Sequence, residues 1–201
     1  MIELKVLQAV RLKGRVSLAD LAATVAADPS VVTEAVKMAA ESGLIIEAKA
    51  IRLTDGGRAR LSELLAQERA DVDQQAINTA YNDFRGVNAD FKALVSDWQL
   101  KDGQPNPHDD DAHDAAVLSR LDDVHQRVTP IIANVAGQLP RLSSYSDKLA
   151  VALKKVHAGE TVWLTRPIVD SYHTVWFELH EELILAAGLT RESEAQAGHA
   201  Q

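Results

Sequence analysis

The fold of the N-terminal third is decided by residues 18–60, which read LADLAATVAADPSVVTEAVKMAAESGLIIEAKAIRLTDGGRAR. Apolar residues at helical spacing predict a short amphipathic helix over 18–26. The segment Ala27-Asp28-Pro29 breaks that helix. Ser30 is a suitable N-cap for a second helix, and Gly43 suits the left-handed position at which that helix ends. These residues therefore predict two helices joined by a short turn.

A β-hairpin is predicted directly after the second helix. Leu44-Ile45-Ile46 and Ile51-Arg52-Leu53-Thr54 are short apolar runs that flank a polar step around Ala48-Lys49. Arg15-Val16-Ser17 is long enough for one further strand beside this hairpin, and Asp55-Gly56-Gly57-Arg58 opens the next helix. A helix pair followed by a small hairpin is a compact way to present the second helix to a DNA groove.

Three motifs of this segment resemble the MarR-type winged-helix regulators. They are Ser30-x-x-Thr33, Glu41-Ser-Gly-Leu-Ile45 and Leu53-Thr-Asp-Gly-Gly-Arg58. The resemblance covers residues 3–69 and implies a recognition helix, a wing, and a long helix entered through a Leu-Thr-x-x-Gly pattern. The wing is shorter than the arginine-bearing loop of that family and has only Lys49 at its tip.

The composition of the 201 residues is that of a soluble globular protein, with 46% hydrophobic and 25% charged residues. The chain has no apolar run long enough for a membrane span, and its N-terminus lacks the features of a secretory signal. The absence of cysteine excludes disulfides and thiol chemistry. We therefore expect a cytoplasmic protein that does not bind membranes.

Charge is distributed unevenly along the chain. Residues 1–69 contain ten Lys/Arg and nine Asp/Glu, whereas residues 70–201 contain eleven and twenty. The acidic part would repel a phosphate backbone, so any contact with nucleic acid must come from the N-terminal third. This asymmetry predicts two domains with different roles.

The second half of the chain is predicted to be helical throughout. Apolar residues recur every three or four positions over 70–98, 117–139, 142–156 and 167–187. The last helix is expected to begin at Thr165 or Arg166 and its stripe to include Ile168, and Pro130 predicts a kink or a break in the second of the four. The stripes of the first and last helices are candidates for a symmetric dimer contact.

The predicted fold is mainly α. It has an N-terminal winged helix-turn-helix domain with a small β-wing over 1–69 and a C-terminal antiparallel helical bundle over 70–190. The bundle is expected to serve dimerisation or the binding of a ligand or partner. Residues 99–111 are expected to form a loop with a solvated acidic end, and residues 191–201 a flexible tail.

Contacts with DNA require hydrogen-bond donors for the bases and positive charge for the phosphates. The predicted DNA-binding residues on the second helix, the wing and the following helix are Ser30, Thr33, Lys37, Lys49, Arg52 and Arg58. The second helix also carries Glu34 and Glu41. A winged helix that contacts only protein therefore remains an alternative.

The densest group of aromatic and polar residues lies between Trp163 and Glu182. An aromatic-lined pocket with a few polar groups suits a small ligand, and Arg166 near a helix start could receive an anionic group. The predicted ligand-binding residues are Trp163, Arg166, Tyr172, His173, Trp176 and His180. The alternative is that the aromatic side chains are core or dimer face and that Arg166 pairs with Asp170.

Metal binding and catalysis have little support in the sequence. Asp122-x-x-His125 and Asp170-x-x-His173 place a carboxylate and an imidazole one turn apart, and His180 follows two turns later, so the three histidines could converge on a metal. Partly buried, hydrogen-bonded histidines are the favoured interpretation, so no metal or cofactor is predicted. No nucleophile, metalloprotease or nucleotide-binding motif is present, and we expect no enzyme.

The pattern as a whole predicts a MarR-like winged-helix transcriptional regulator, a homodimer that binds duplex DNA and carries a helical dimerisation or effector domain. The alternative is a winged-helix accessory or regulatory subunit that acts by protein contact, with a partner from a neighbouring gene. Residues 163–182 are faintly similar to segments of pyruvate-phosphate-dikinase-like enzymes, so this alternative includes a PEP-utilising phosphotransfer enzyme as the partner.

Overall fold

A computed structural model describes residues 1–167 and 169–199. The fold is mainly helical, and the chain divides into two compact units, Met1–Val72 and Asp73–Gln201. We call these unit 1 and unit 2. In the part of the chain that is described, no helix is long and apolar enough to cross a membrane.

Unit 1 contains four helices and one hairpin. They are α1 (Ile2–Lys13), α2 (Leu18–Val25), α3 (Pro29–Glu41), β1 (Ile45–Glu47), β2 (Ile51–Leu53) and α4 (Asp55–Ala70). Its core is formed by buried aliphatic side chains from every one of these elements: Leu4, Leu7, Val10, Leu21, Val25, Val32, Val36, Ile45, Ile51, Leu53, Leu61, Leu64 and Leu65. The helical spacing seen in the sequence therefore corresponds to the buried faces of α2 and α3.

Helix α3 begins two residues earlier than predicted, at Pro29. Its N-cap is Asp28, whose carboxylate accepts a hydrogen bond from the backbone N–H of Ser30 at 2.8 Å, and Pro29 occupies the first turn. The prediction that Ser30 caps the helix is wrong. Asp28 replaces it because the backbone angle of Pro29 suits the first helical position, where no N–H is needed.

The hairpin pairs Ile45 with Leu53 and Ile46 with Arg52 in antiparallel register. The further strand predicted at residues 15–17 is reduced to a single bridge between Val16 and Ile51. Both residues of this bridge are buried, so Arg15 and Arg52, one position away on each segment, lie on the opposite, exposed side.

The start of α4 explains the Leu-Thr-x-x-Gly pattern. The hydroxyl of Thr54 donates to the carbonyl of Gly43 at 2.7 Å and accepts from the N–H of Gly57 at 2.9 Å. A Cβ atom on Gly57 would lie 1.9 Å from the carbonyl oxygen of Leu44. Threonine thus joins the end of α3 to α4, and glycine allows the two backbones to approach.

Unit 2 contains the remaining elements. They are α5 (Gln74–Gln99), β3 (Leu100–Lys101), β4 (Gln104–Pro105), α6 (Asp111–Gln138), a 3-10 turn (Pro140–Ser143), α7 (Ser144–His157), α8 (Val162–Thr165), α9 (Tyr172–Ala186) and α10 (Arg191–Gln196). The apolar stripes of α5 and α9 are buried within the unit, for example at Phe84, Phe91, Trp176 and Leu183. The prediction that they form a symmetric dimer contact is therefore wrong, since these residues are already covered.

Two helices differ from the prediction in their ends or continuity. Helix α9 begins at Tyr172, where the side chain of Ser171 accepts a hydrogen bond from the N–H of Thr174. The short α8 precedes it. Ile168 lies outside the described residues. Helix α6 runs through Pro130 without a break. Pro130 itself is exposed, while Val128 and Ile132 are buried and hold the helix in place on both sides of it.

The acidic loop and the tail are also more ordered than predicted. Asp110 caps α6, and the Oδ1 of Asp114 accepts a hydrogen bond from Asn106 at 3.1 Å, so these carboxylates serve local structure. Residues 191–196 of the predicted tail form α10, because Glu194 is buried against Arg85. The last two residues of the chain lie outside the described part.

Candidate functional site

Unit 2 contains a cavity of about 330 Å³ between α5 and α9, which we call the α5–α9 cavity. Helix α5 contributes side chains at i, i+3, i+4, i+7, i+8 and i+11, and α9 contributes them at i, i+3, i+4 and i+7, which is the pattern of one helix face. The lining residues are Asn88, Phe91, Lys92, Val95, Ser96, Gln99, His173, Trp176, Phe177, His180, Arg191 and His199. The cavity thus combines an apolar wall with polar and basic groups.

The wall is built from stacked aromatic rings. The ring centroids of Phe91 and Trp176 are 4.5 Å apart, and Phe84 stacks on Trp176 at 5.0 Å. The indole N–H of Trp176 donates to the amide oxygen of Asn88 at 2.9 Å, and the Asn88 amide donates to the carbonyl of His199 at 3.2 Å. These bonds hold Trp176 in one orientation.

His180 is a buried neutral imidazole in the cavity lining. Burial lowers its pKa to about 4. The Tyr81 hydroxyl donates to Glu194 at 2.6 Å, so its oxygen is free to accept the Nε2–H of His180 at 3.3 Å. This arrangement places the ring proton on Nε2.

Helix α10 is attached to α5 and α9 by two ion pairs. Arg85 pairs with Glu194 at 2.7 Å, and Arg191 pairs with Glu181 at 2.5 Å. The guanidinium of Arg191 also lies 4.5 Å from the centre of the Phe177 ring. Arg191 therefore enters the lining with its charge already balanced by Glu181.

The structure brings together half of the predicted ligand-binding residues. His173, Trp176 and His180 line the cavity. Tyr172 is fully buried against Phe91 and Trp176, so it supports the wall from behind. The other two are not in the lining: Trp163 lies under the ammonium of Lys155 at 3.3 Å, and Arg166 is exposed at the end of α8.

Sequence reasoning missed the contributions of α5 and α10 to the cavity. Asn88, Lys92 and Ser96 interrupt the face of α5 that otherwise carries Phe91 and Val95. Polar residues at helical spacing beside a buried apolar stripe are the signal that could have indicated them. Arg191 and His199 gave no such signal, because their segment resembles a polar tail in the sequence.

The three candidate metal ligands do not lie in one site. His173 and His180 share the cavity, whereas Nδ1 of His125 is 3.2 Å from the hydroxyl of Tyr172 and is not in the lining. Among residues 1–167 and 169–199, no group of three or more acidic or histidine side chains could hold a metal ion.

Four of the exposed cations of unit 1 form a second candidate site. They are Arg15 before α2, Lys37 on α3, and Lys49 and Arg52 on the hairpin. Within the described residues no hydrogen bond or ion pair engages any of their side chains. We call this set the four exposed cations. They offer positive charge on two of the elements that the sequence predicts to face DNA, the second helix and the wing, and Arg15 adds a charge beside the hairpin.

The other predicted DNA-binding residues are engaged locally. The Ser30 hydroxyl donates to Asp28 at 2.5 Å, and the Thr33 hydroxyl donates to the carbonyl of Pro29 at 2.7 Å. Arg58 lies 3.4 Å from Asp55. The exposed face of α3 also carries Val31 and Met38, which are 48% and 60% exposed.

No protein-family model, curated protein or solved structure matches the chain. Function is therefore inferred from the two candidate sites themselves.

Proposed function

We propose that unit 1 is a winged helix-turn-helix that binds duplex DNA, and that the protein is a transcriptional regulator resembling the MarR type. The observation that carries this proposal is the set of four exposed cations. Phosphate contacts are made by lysine and arginine side chains that no acidic group neutralises. In this proposal α3 lies in the major groove with Lys37 directed to its phosphate edge, and the hairpin places Lys49 and Arg52 beside the backbone.

The proposal includes a homodimer and assigns unit 2 to an antiparallel helical bundle. A single recognition helix reads only one half-site, and a two-fold dimer supplies the second. Light scattering after size exclusion measures the mass of the particle, and a monomer at micromolar concentration contradicts the dimer but not the DNA binding.

DNA binding is tested by fluorescence anisotropy with a labelled duplex from the region upstream of the protein's own gene, at about 50 mM salt. We expect the double variant Lys37→Gln/Arg52→Gln to lose at least about tenfold in affinity, because two phosphate contacts are removed. The matched control is Lys154→Gln, an exposed cation of unit 2. Absence of binding by the wild-type protein, or equal binding by the double variant, contradicts the proposal.

A second candidate function is a winged helix that docks on another protein. It is favoured by Val31 and Met38, two apolar side chains exposed one above the other on α3, flanked by the exposed Glu34 and Glu41. Such a surface is depleted in donors for bases and provides apolar area for a protein interface. This alternative is the accessory or regulatory subunit predicted from the sequence.

The two functions are separated by the double variant Val31→Ser/Met38→Ser. If α3 docks on protein, the variant loses co-purification with a partner encoded beside its gene while any anisotropy signal with DNA is unchanged. If α3 reads DNA, the variant alters DNA affinity, and no partner is lost.

A further inference from the structure

We propose that the α5–α9 cavity binds a small organic anion, with its apolar part against Phe177 and its anionic group at Lys92. This site lies within unit 2, and the inference does not depend on DNA binding by unit 1. It rests on the size, the shape and the charge of the cavity lining.

The volume and composition of the cavity are those of a ligand site. Its volume of about 330 Å³ lies at the lower end of the range for small-molecule pockets, which suits a ligand of one or two rings. The lining combines four apolar or aromatic side chains, Phe91, Val95, Trp176 and Phe177, with eight polar or basic ones. A lining this polar favours a ligand that carries a polar or charged group.

The exposed aromatic surface of the lining is that of Phe177, which is 41% exposed. Trp176 and Phe91 contact each other at 4.5 Å and are 2% and 1% exposed, so both rings belong to the packed core that holds the lining in place. An exposed aromatic ring on a rigid wall binds an apolar group at little cost in side-chain entropy.

The charge of the lining selects for an anion. No aspartate or glutamate is among the lining residues. Arg191 is neutralised by Glu181, which lies outside the lining, and His180 is neutral at physiological pH because burial lowers its pKa. Of the lysine and arginine side chains in the lining, Lys92 is the one whose charge has no hydrogen bond or ion pair in residues 1–167 and 169–199.

Lys92 is also positioned where its charge can act on a ligand. It is half-buried on α5 in the cavity lining, and its charge contributes to the lowered pKa of His180. A lysine that is partly removed from water attracts an anion more strongly than a fully exposed one. Ser96 and Gln99, one and two turns along the same face, provide hydrogen bonds to the remaining polar atoms.

The experiment uses isothermal titration of the full-length protein with three probes that share one phenyl ring. They are 3-phenylpropionate, phenyl phosphate and the neutral 3-phenylpropanamide. We expect at least one anionic probe to bind tenfold or more tightly than the amide. Whichever of the two anions binds with the higher affinity identifies the head group as carboxylate or phosphate. Equal binding of the amide, or no binding of either anion, overturns the proposal.

Variants locate the binding. We expect Lys92→Met to weaken binding of the anionic probe tenfold or more and Lys92→Arg to retain that binding. Lys154→Met on α7 should leave the affinity unchanged. The indole N–H resonance of Trp176 should shift on titration in the wild-type protein. Should Lys92→Met fail to fold, Lys92→Gln replaces it. Unchanged affinity on loss of the Lys92 charge, or an unshifted Trp176 resonance, overturns the proposal even where a probe binds elsewhere.

Discussion

Polar residues attach α10 to α5 and α9 within unit 2. Tyr81, His180, Glu194 and Arg85 form one chain of hydrogen bonds, which is buried except at Arg85. Burial alone would raise the pKa of Glu194, but the hydrogen bonds from Tyr81 and Arg85 outweigh it and lower that pKa. Since buried polar groups are costly when unpaired, each member of this chain stabilises the positions of the others.

The buried neutral His180 should make stability depend on pH. Its pKa falls from an ordinary value of 6.5 to about 4 on folding, so the unfolded chain binds the additional proton. Its contribution to the free energy of unfolding is present above about pH 6.5 and is lost as the pH falls towards 4, by up to about 3 kcal/mol. The side chain of the His180→Gln variant stays neutral, so its free energy of unfolding should fall correspondingly less between about pH 7 and about pH 4. Urea unfolding at each pH measures both curves, and parallel curves contradict the prediction.

The charge of Glu194 should contribute measurably to stability. Glu194→Gln removes the partner of Arg85 and weakens the bond from Tyr81, so we expect the free energy of unfolding to fall by about 1–3 kcal/mol. Glu192 on the same helix is exposed. Glu192→Gln should therefore change the free energy of unfolding by less than about 0.5 kcal/mol. Urea unfolding followed by circular dichroism compares the two. Similar effects at both positions would show that the ion pair of α10 contributes nothing specific.

At the scale of elements, the junction between α3, the hairpin and α4 is set by backbone contact. Thr54 bonds to the carbonyl that ends α3, and the first turn of α4 lies against the carbonyl of Leu44 at Gly57. The position of α4 therefore depends on a residue without a side chain. The adjacent Gly56 has no such role, since a Cβ there meets its nearest atom at 3.6 Å.

Alanine at these two neighbouring glycines should have effects of opposite sign. Gly57→Ala places a methyl group 1.9 Å from a backbone oxygen and should lower the free energy of unfolding of unit 1 by about 2 kcal/mol or more. Gly56→Ala should leave it unchanged or raise it by up to about 1 kcal/mol, because alanine favours the helix. Thermal unfolding of both variants checks this. An equal loss at both positions would indicate a requirement for chain flexibility instead of close approach.

At the scale of the whole molecule, charge separates the two units. Unit 1 has ten Lys/Arg and ten Asp/Glu, whereas unit 2 has eleven and nineteen, so the net charge of the chain lies in unit 2. Attraction to DNA must therefore come from the four exposed cations and not from the net charge of −8. This limits how strongly salt can affect the proposed binding.

If the proposed DNA binding holds, the slope of its salt dependence should reflect the number of these cations. Four phosphate contacts per chain predict a slope of roughly −4 for log K against log salt, and about twice that for a dimer. Lys37→Gln should reduce the magnitude by about 1 per chain, and Lys154→Gln should not change it. Anisotropy titrations over a range of KCl concentrations give the slope. A value near zero would show that phosphate neutralisation does not drive the interaction.

Much of the element structure could be predicted from the sequence, whereas the cavity could only be predicted in part. The apolar faces of α5, α6 and α7 and the entry to α4 follow from patterns within a few turns of chain. The errors lie where a tertiary contact overrides a local signal. Pro130 sits in an unbroken helix because its neighbours are buried, and α10 forms because Glu194 reaches Arg85.

The sequence by itself determined that the protein is mainly helical, where most of its helices lie, and that its positive charge is concentrated in the N-terminal third. Those properties depend on residues close together in the chain. Only the tertiary structure decided which side chains share the α5–α9 cavity. Its key bonds join residues far apart in sequence, 88 positions between Asn88 and Trp176 and 109 between Arg85 and Glu194. No local pattern encodes such pairings, because they arise only when packed helices bring distant faces together.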